Sequence, residues 1–327
     1  IVKEANDMGL MVRGHALFIP AFMFAPTRCR KLDRATLEAE VMKHITDMAA
    51  RHGNAIPEWN VLHGAIDYAE IYNTIGIECL PQACIAASQA APNSAMLFSD
   101  LQGLSALSEI PLRDSVELAD WLMQNGVKLA GIVLGANMKR LDVAPQTMEK
   151  RLNFVTERLH LPIHIANFAV NTDSEEFQKN TMADYLLLFY ACSNVVSVSF
   201  AEPWAPVLLN PKMALFNDDM TPRPAAAHIR ELITKTWSGN ASLKTTESGQ
   251  AIATLFDGIY DISVTNGKAS ASFTLDTRNL PPQPKTASHA PKKKEKKEKT
   301  AKTTEGAPMA NIPMPPAPKV TINLFLK

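Results

Sequence analysis

Through the first 238 residues, apolar runs bounded by turn residues alternate with amphipathic stretches. The runs at 10–19, 58–63, 95–99, 130–136, 163–168 and 195–200 predict strands. The stretches at 34–51, 75–91, 112–125, 145–160, 174–192 and 225–237 predict helices, with a further short helix at 1–8. The strands are apolar almost throughout, as expected where both faces of a sheet are covered. Their regular alternation with helices implies a parallel sheet with helices packed on it. A doubly wound sheet and a (β/α)8 barrel both fit this pattern.

The texture changes after Trp237. Residues 239–276 alternate in polarity and carry the turn signals Ser248-Gly249 and Asn266-Gly267, so a small β extension is expected there. Residues 277–319 are rich in Pro, Lys, Thr and Ala, and the run 292–299 is almost wholly Lys and Glu. Such a stretch cannot bury a core and reads as a disordered linker, or as a basic tether to an acidic surface. The final residues 320–327 are apolar and strand-like, and are expected to pair with a segment lying outside this sequence.

Charge divides along the same line. The chain is neutral overall, but residues 280–327 hold ten Lys and three Glu, a balance of +7 that leaves −7 on residues 1–279. A mildly acidic body argues against nucleic-acid binding by the folded part. No run of eighteen apolar residues is present, so no membrane span is predicted. Cys29, Cys79, Cys84 and Cys192 match no metal or redox spacing, and Cys79 and Cys84 are expected as buried thiols on a helix. The sequence opens at Ile1 rather than Met, so a signal peptide is not observable and the chain reads as a piece of something longer.

Four segments in order carry a resemblance: Val12-Arg13-Gly14-His15-Ala16-Leu17, Trp59-Asn60-Val61-Leu62-His63-Gly64, Pro162-Ile163-His164-Ile165-Ala166-Asn167-Phe168-Ala169, and Pro222-Arg223-Pro224-Ala225. Together they resemble the family 10 glycoside hydrolases, the endo-xylanases, over residues 1–262. The resemblance implies the (β/α)8 barrel, with Arg13-Gly14-His15 on its third strand. On that alignment residues 1–238 hold strands three to eight, an incomplete barrel with two unpaired edges and lower stability than a closed one. It also implies an extracellular or periplasmic location and a plant-type polysaccharide or oligosaccharide as partner.

In the family the second segment reads W-D-V-V-N-E and the third I-T-E-L-D, ending in and containing the two catalytic glutamates. Those positions are Gly64 and Asn167 here. Retaining glycosidases need two carboxyl groups about 5–5.5 Å apart, and neither glycine nor asparagine supplies one. The resemblance leaves His15, Asp100 and Phe200 from the sugar-binding shell, with His63, Asn137 and Asn167 at further shell positions. Trp204, stiffened between Pro203 and Pro206, is the best candidate to stack on a sugar ring. Arg13 and His15 also fit a role in buried hydrogen bonds, and Asp100 the capping of the next turn.

Asp67 and Glu202 fall on loops after strands, where barrel sites are built, and are the candidate substitutes for the lost pair. His15, His63 and Asp100 end adjacent strands, but no ligand spacing supports a metal, and neither metal nor cofactor is expected. Three readings follow. The chain is a barrel without hydrolytic activity that binds or scaffolds on β-1,4-xylan-type glycans. Alternatively it is an endo-glycosidase of shifted specificity using non-family carboxylates, or an interaction module without sugar affinity.

Overall fold

The computed structural model describes residues 1–53, 55–100, 103–138, 143–201, 203–207, 211–239, 241–254, 258–266, 270–277 and 319–323. The linker expected at 277–319, with its charge run, lies outside these residues except at its two ends. Two compact units divide between Ala227 and His228.

In the first unit a short helix α1 (Val2–Asp7) precedes six strands. These are β1 (Arg13–Phe18), β2 (Glu58–His63), β3 (Ala95–Asp100), β4 (Gly131–Met138), β5 (Ile163–Val170) and β6 (Val195–Phe200). They form one sheet in the order β1-β2-β3-β4-β5-β6, and every pairing is parallel. The connections carry α2 (Arg34–His52), α3 (Glu70–Ile75), α4 (Cys79–Ala90), α5 (Ile110–Gln124), α6 (Pro145–Leu159) and α7 (Glu175–Ala191). This is six-eighths of a (β/α)8 barrel. Strand order equal to chain order excludes the doubly wound alternative, whose order reverses at a switch point.

Local chemistry sets the helix starts. The Asp33 carboxylate caps α2 by accepting from Thr36 N at 3.0 Å, and Ser174 Oγ caps α7 by accepting from Phe177 N at 3.2 Å. Proline stands in the first turn of α5 and α6, where its missing N–H costs nothing. A helix is predicted over 75–91, but α4 starts only at Cys79, after Gly76, whose φ of 106° no side-chain-bearing residue adopts easily, and α3 precedes it where no helix is predicted. Between sheet and helices lies an apolar layer built on Phe98, Phe168, Phe189, Leu37 and Ile45, all fully buried. Cys79 and Cys84 are buried on α4 as free thiols, and burial pushes both up to about 12.

The sheet is strongly rolled. Arg13, at the start of β1, donates to Glu58 on β2 at 2.7 and 2.9 Å. The same guanidinium reaches His164 Nδ1 on β5 at 2.6 Å and lies 3.5 Å from Ser197 Oγ on β6. Contact between the first strand and the fifth and sixth requires the sheet to curl back on itself. β1 and β6 nevertheless end the sheet, and beside β1 Leu10 and Met11 stand exposed, as does Val196 on β6.

The second unit begins within α8 (Pro224–Glu231), shorter than the predicted helix at 225–237 because a π-type turn, Leu232–Thr236, takes over its end. Trp237 is half-buried. The β extension comprises β7 (Gln250–Thr254), β8 (Ile259–Thr265) and β9 (Ser270–Asp276), with β8 and β9 antiparallel. A tenth strand, β10 (Lys319–Asn323), pairs antiparallel with β7. The apolar terminus therefore finds its partner within this chain, where an external one is expected from sequence.

Gly14 shows how tightly β1 and β2 are fitted. A Cβ at this position would stand 2.1 Å from the Trp59 ring, which lies over the glycine from the neighbouring strand. Gly14→Ala should lower the unfolding free energy by about 1–3 kcal/mol, the usual cost of overpacking. A urea midpoint equal to the parent's at unchanged slope would show that the Trp59 ring moves aside freely.

Candidate functional site

Parallel strands deliver their C-terminal ends to one face, and three local irregularities decide what those ends present. β1 carries one extra residue between His15 and Phe18 relative to β2, and β2 one between Asn60 and Leu62 relative to β3. β5 carries one between Ile165 and Phe168 relative to β6, and between Ala166 and Ala169 relative to β4. Such bulges bend a strand and re-aim the side chains beyond them.

At the ends of β1, β2 and β3 four side chains meet. Asn60 Nδ2 donates to His15 Nδ1 at 2.8 Å, which makes that nitrogen the acceptor and leaves the ring proton on Nε2. The His15 ring, exposed at the mouth, meets His63 edge-on with centroids 4.3 Å apart. His63 Nδ1 in turn lies 2.9 Å from Ser99 Oγ. His63, Asn60 and Ser99 are buried, so the exposed His15 stands on a polar layer inaccessible to solvent. Burial, reinforced by His15, pulls His63 down to about 4, and partial burial lowers His15 in the same direction. Both rings are therefore neutral hydrogen-bonding groups at pH 7. The buried Oδ1 atoms of Asn60 and Asn137 have no partner among the described residues.

Gly64 follows β2 directly, and its N–H donates to Ser99 O at 3.0 Å. Its φ is 65°, and Asn167, exposed in the bulge of β5, has φ 51°. Both positions that the resemblance assigns to catalytic glutamates thus have left-handed backbone, which glycine and asparagine tolerate best.

Other expected site residues are placed differently. Asp100 is 2% exposed and accepts from Ser115 Oγ on α5 at 2.6 Å. It fastens α5 to β3, with its carboxylate turned to the helix layer. Phe200 is the register partner of Phe168, with ring centroids 6.1 Å apart, and Phe168 packs edge-on against Phe189 of α7. Its ring belongs to that aromatic group. Trp204 is half-buried in the loop after β6, its indole N–H donating to Asp218 O at 3.2 Å. Asp67 is exposed on the loop after β2, and partial desolvation raises its carboxyl. Glu202 lies outside the described residues. Among the described residues no group of three or more His, Cys, Asp or Glu could hold a metal ion. Sequence reading missed Asn60 and Ser99, whose only signal was a polar residue inside an apolar strand.

The sequence model of Glycosyl hydrolase family 10 matches residues 1–232. The chain belongs to that family. Family 10 xylanases of known structure share the fold at low identity. Native xylanase 10B from Thermotoga maritima is 19% identical, with a TM-score of 0.61 covering 72% of this chain and 78% of that one. A thermostable mutant of a Cellvibrio japonicus xylanase is 18% identical, with a TM-score of 0.61 over 71% and 81%. Among curated proteins, the anti-sigma-I factor RsgI6 of Acetivibrio thermocellus is 24% identical over 278 residues, 84% of this chain and 36% of that protein. Endo-1,4-beta-xylanase A of Xylanibacter ruminicola is 29% identical over 110 residues, 31% of this chain and 30% of that one. The chain thus spans about a third of the length of the curated relatives it matches.

Two buried imidazoles make the fold sensitive to acid. His63 and His164 are both held at about 4, His164 by burial and then by Arg13, below the 6.5 of an exposed ring. The unfolded chain binds these protons first, so stability is full above pH 6.5 and is lost as pH falls from there toward 4. Denaturant titrations across that window should show this slope, and His63→Asn should flatten it. An unchanged slope would mean that other groups govern the acid limb.

Proposed function

We propose that this chain is a family 10 domain without hydrolytic activity that binds or scaffolds on β-1,4-xylan-type glycans at the C-terminal ends of its strands. The observation that carries this reading is the pair Gly64 and Asn167. Neither can act as acid, base or nucleophile, and both are fitted to a left-handed backbone where a longer side chain is disfavoured. What remains at the mouth suits recognition of hydroxyl groups: the Nε2–H of His15 as a donor, and the amide of Asn167 as donor and acceptor. Trp204 offers a half-buried ring on a loop after β6. A curated relative named as an anti-sigma factor supports a role for this kind of chain other than hydrolysis. On this reading the chain works outside the cell, where such polysaccharides are met, and its basic tail tethers it to an acidic surface.

The competing reading, an endo-glycosidase rebuilt on other acids, rests on Asp67, whose raised carboxyl would favour a general acid. Asp67 is exposed, and its candidate partner Glu202 lies outside the described residues, so no paired geometry supports it.

Xylo-oligosaccharides should bind with a saturable heat signal or change in tryptophan fluorescence and no release of reducing ends. His15→Ala should weaken binding about tenfold, the loss of one well-made hydrogen bond to a neutral partner or slightly more. Hydrolysis abolished by Asp67→Asn would replace this reading with the enzyme. Absence of any binding would leave the interaction module.

Reinstating the pair probes the backbone as well as the chemistry. Gly64→Glu and Asn167→Glu should each cost about 1–2 kcal/mol of stability, because each puts a long side chain on a left-handed residue. The double variant should hydrolyse xylan weakly at best, since catalytic geometry tolerates little misplacement. Rates typical of xylanases at parental stability would mean that the strand ends still hold the catalytic frame.

A further inference from the structure

Away from the strand ends, α5 and α6 part to leave a shallow open cleft of about 100 Å³ lined by Glu109, Leu112, Arg113, Lys150, Arg151 and Phe154. Three cations and one carboxylate line it, and the Glu109 carboxylate is already met by Arg113 at 3.3 Å. Positive charge is left in excess on Lys150 and Arg151.

Arg151 is the unusual member. It is 3% exposed, yet no carboxylate pairs with it among the described residues. Its Nη1 donates to Leu104 O at 2.5 Å and its Nη2 more weakly to Ser108 O at 3.5 Å, while Nε has no partner. Two backbone carbonyls hold the guanidinium in place without neutralising it. Burying an arginine with a donor unsatisfied is costly, and burial lowers its pKa accordingly. An anion in the cleft would offset the buried charge through space, Nε itself being closed to solvent. Phe154 exposes 37% of its surface at the same cleft, beside the buried Leu112. Cations beside an exposed aromatic face suit a ligand carrying a charged group on a ring with an apolar side.

We propose that the cleft between α5 and α6 is a second binding site, for a carboxylate borne on a ring with an apolar face, either a sugar acid or an aromatic acid. The carboxylate meets Lys150 and Arg151, and the ring lies against Phe154. The site is independent of the strand-end reading, since none of its residues belongs to that cluster.

Amide chemical-shift titrations of the full chain with glucuronate, benzoate, xylose and inorganic phosphate test this. Glucuronate or benzoate should give saturable shifts on α5 and α6, and which of the two binds more tightly identifies the source of the carboxylate. Xylose and phosphate should each bind at least about tenfold more weakly, for want of the charge or of the ring. Lys150→Ala and Phe154→Ala alter exposed helix positions and should keep the fold, checked by circular dichroism, while raising Kd about tenfold each. Arg151→Lys keeps the charge but loses the fork, and should weaken carboxylate binding similarly. No saturable binding, phosphate binding as tightly as the ring acids, or affinities unmoved by Lys150→Ala and Phe154→Ala would overturn the proposal.

Discussion

The strand ends hold their arrangement because the sheet is rolled, and the polar contact spanning that roll is Arg13. From the first position of β1 its guanidinium binds Glu58 on the next strand and reaches His164 on β5 and Ser197 near it on β6. His164 can accept from Arg13 only while neutral, and burial keeps it so. A Cβ on Gly131 would stand 3.0 Å from the His164 ring, so that position leaves room for it. This layer lies where the strands begin, leaving their other ends free to carry the site.

At those other ends, the backbone and the chemistry are coupled. The bulge in β5 adds one residue relative to both neighbours, and within it Asn167 takes a left-handed conformation. Gly64 takes a similar one immediately after β2. Residue identity at these positions therefore answers to conformation as well as to reaction chemistry, and the two demands agree here on residues that cannot ionise. Beneath them, His15, Asn60, His63 and Ser99 form a chain of hydrogen bonds and ring contacts that extends from the mouth into the sheet. Its buried members give the exposed His15 a fixed orientation, which a recognition site needs whether or not it catalyses.

Much of the fold was legible because strands buried on both faces write a continuous apolar signature. All six predicted strands are present within a few residues of their expected bounds. The barrel itself followed from the resemblance, since periodicity left two parallel architectures open. The late start of α4 was hidden because apolar Ile75 and Ile77 stand on either side of Gly76. The resemblance assigns Asp100 and Phe200 to the sugar-binding shell. Which face a strand-end side chain takes depends on the local register, and there Asp100 meets Ser115 and Phe200 meets Phe168.

The sequence by itself determined the element order, the parallel sheet, the absence of carboxylates at positions 64 and 167, and the change of texture after residue 238. These are properties of composition and spacing, carried by neighbours along the chain. Only the tertiary structure decided that Arg13 would meet His164 across 151 positions of sequence, that β10 would return to β7, and that Arg151 would be buried beside an open cleft. Those contacts join residues whose separation along the chain carries no periodic signal. Their energetics depend on burial and on which partners arrive, and both exist only once the chain has folded.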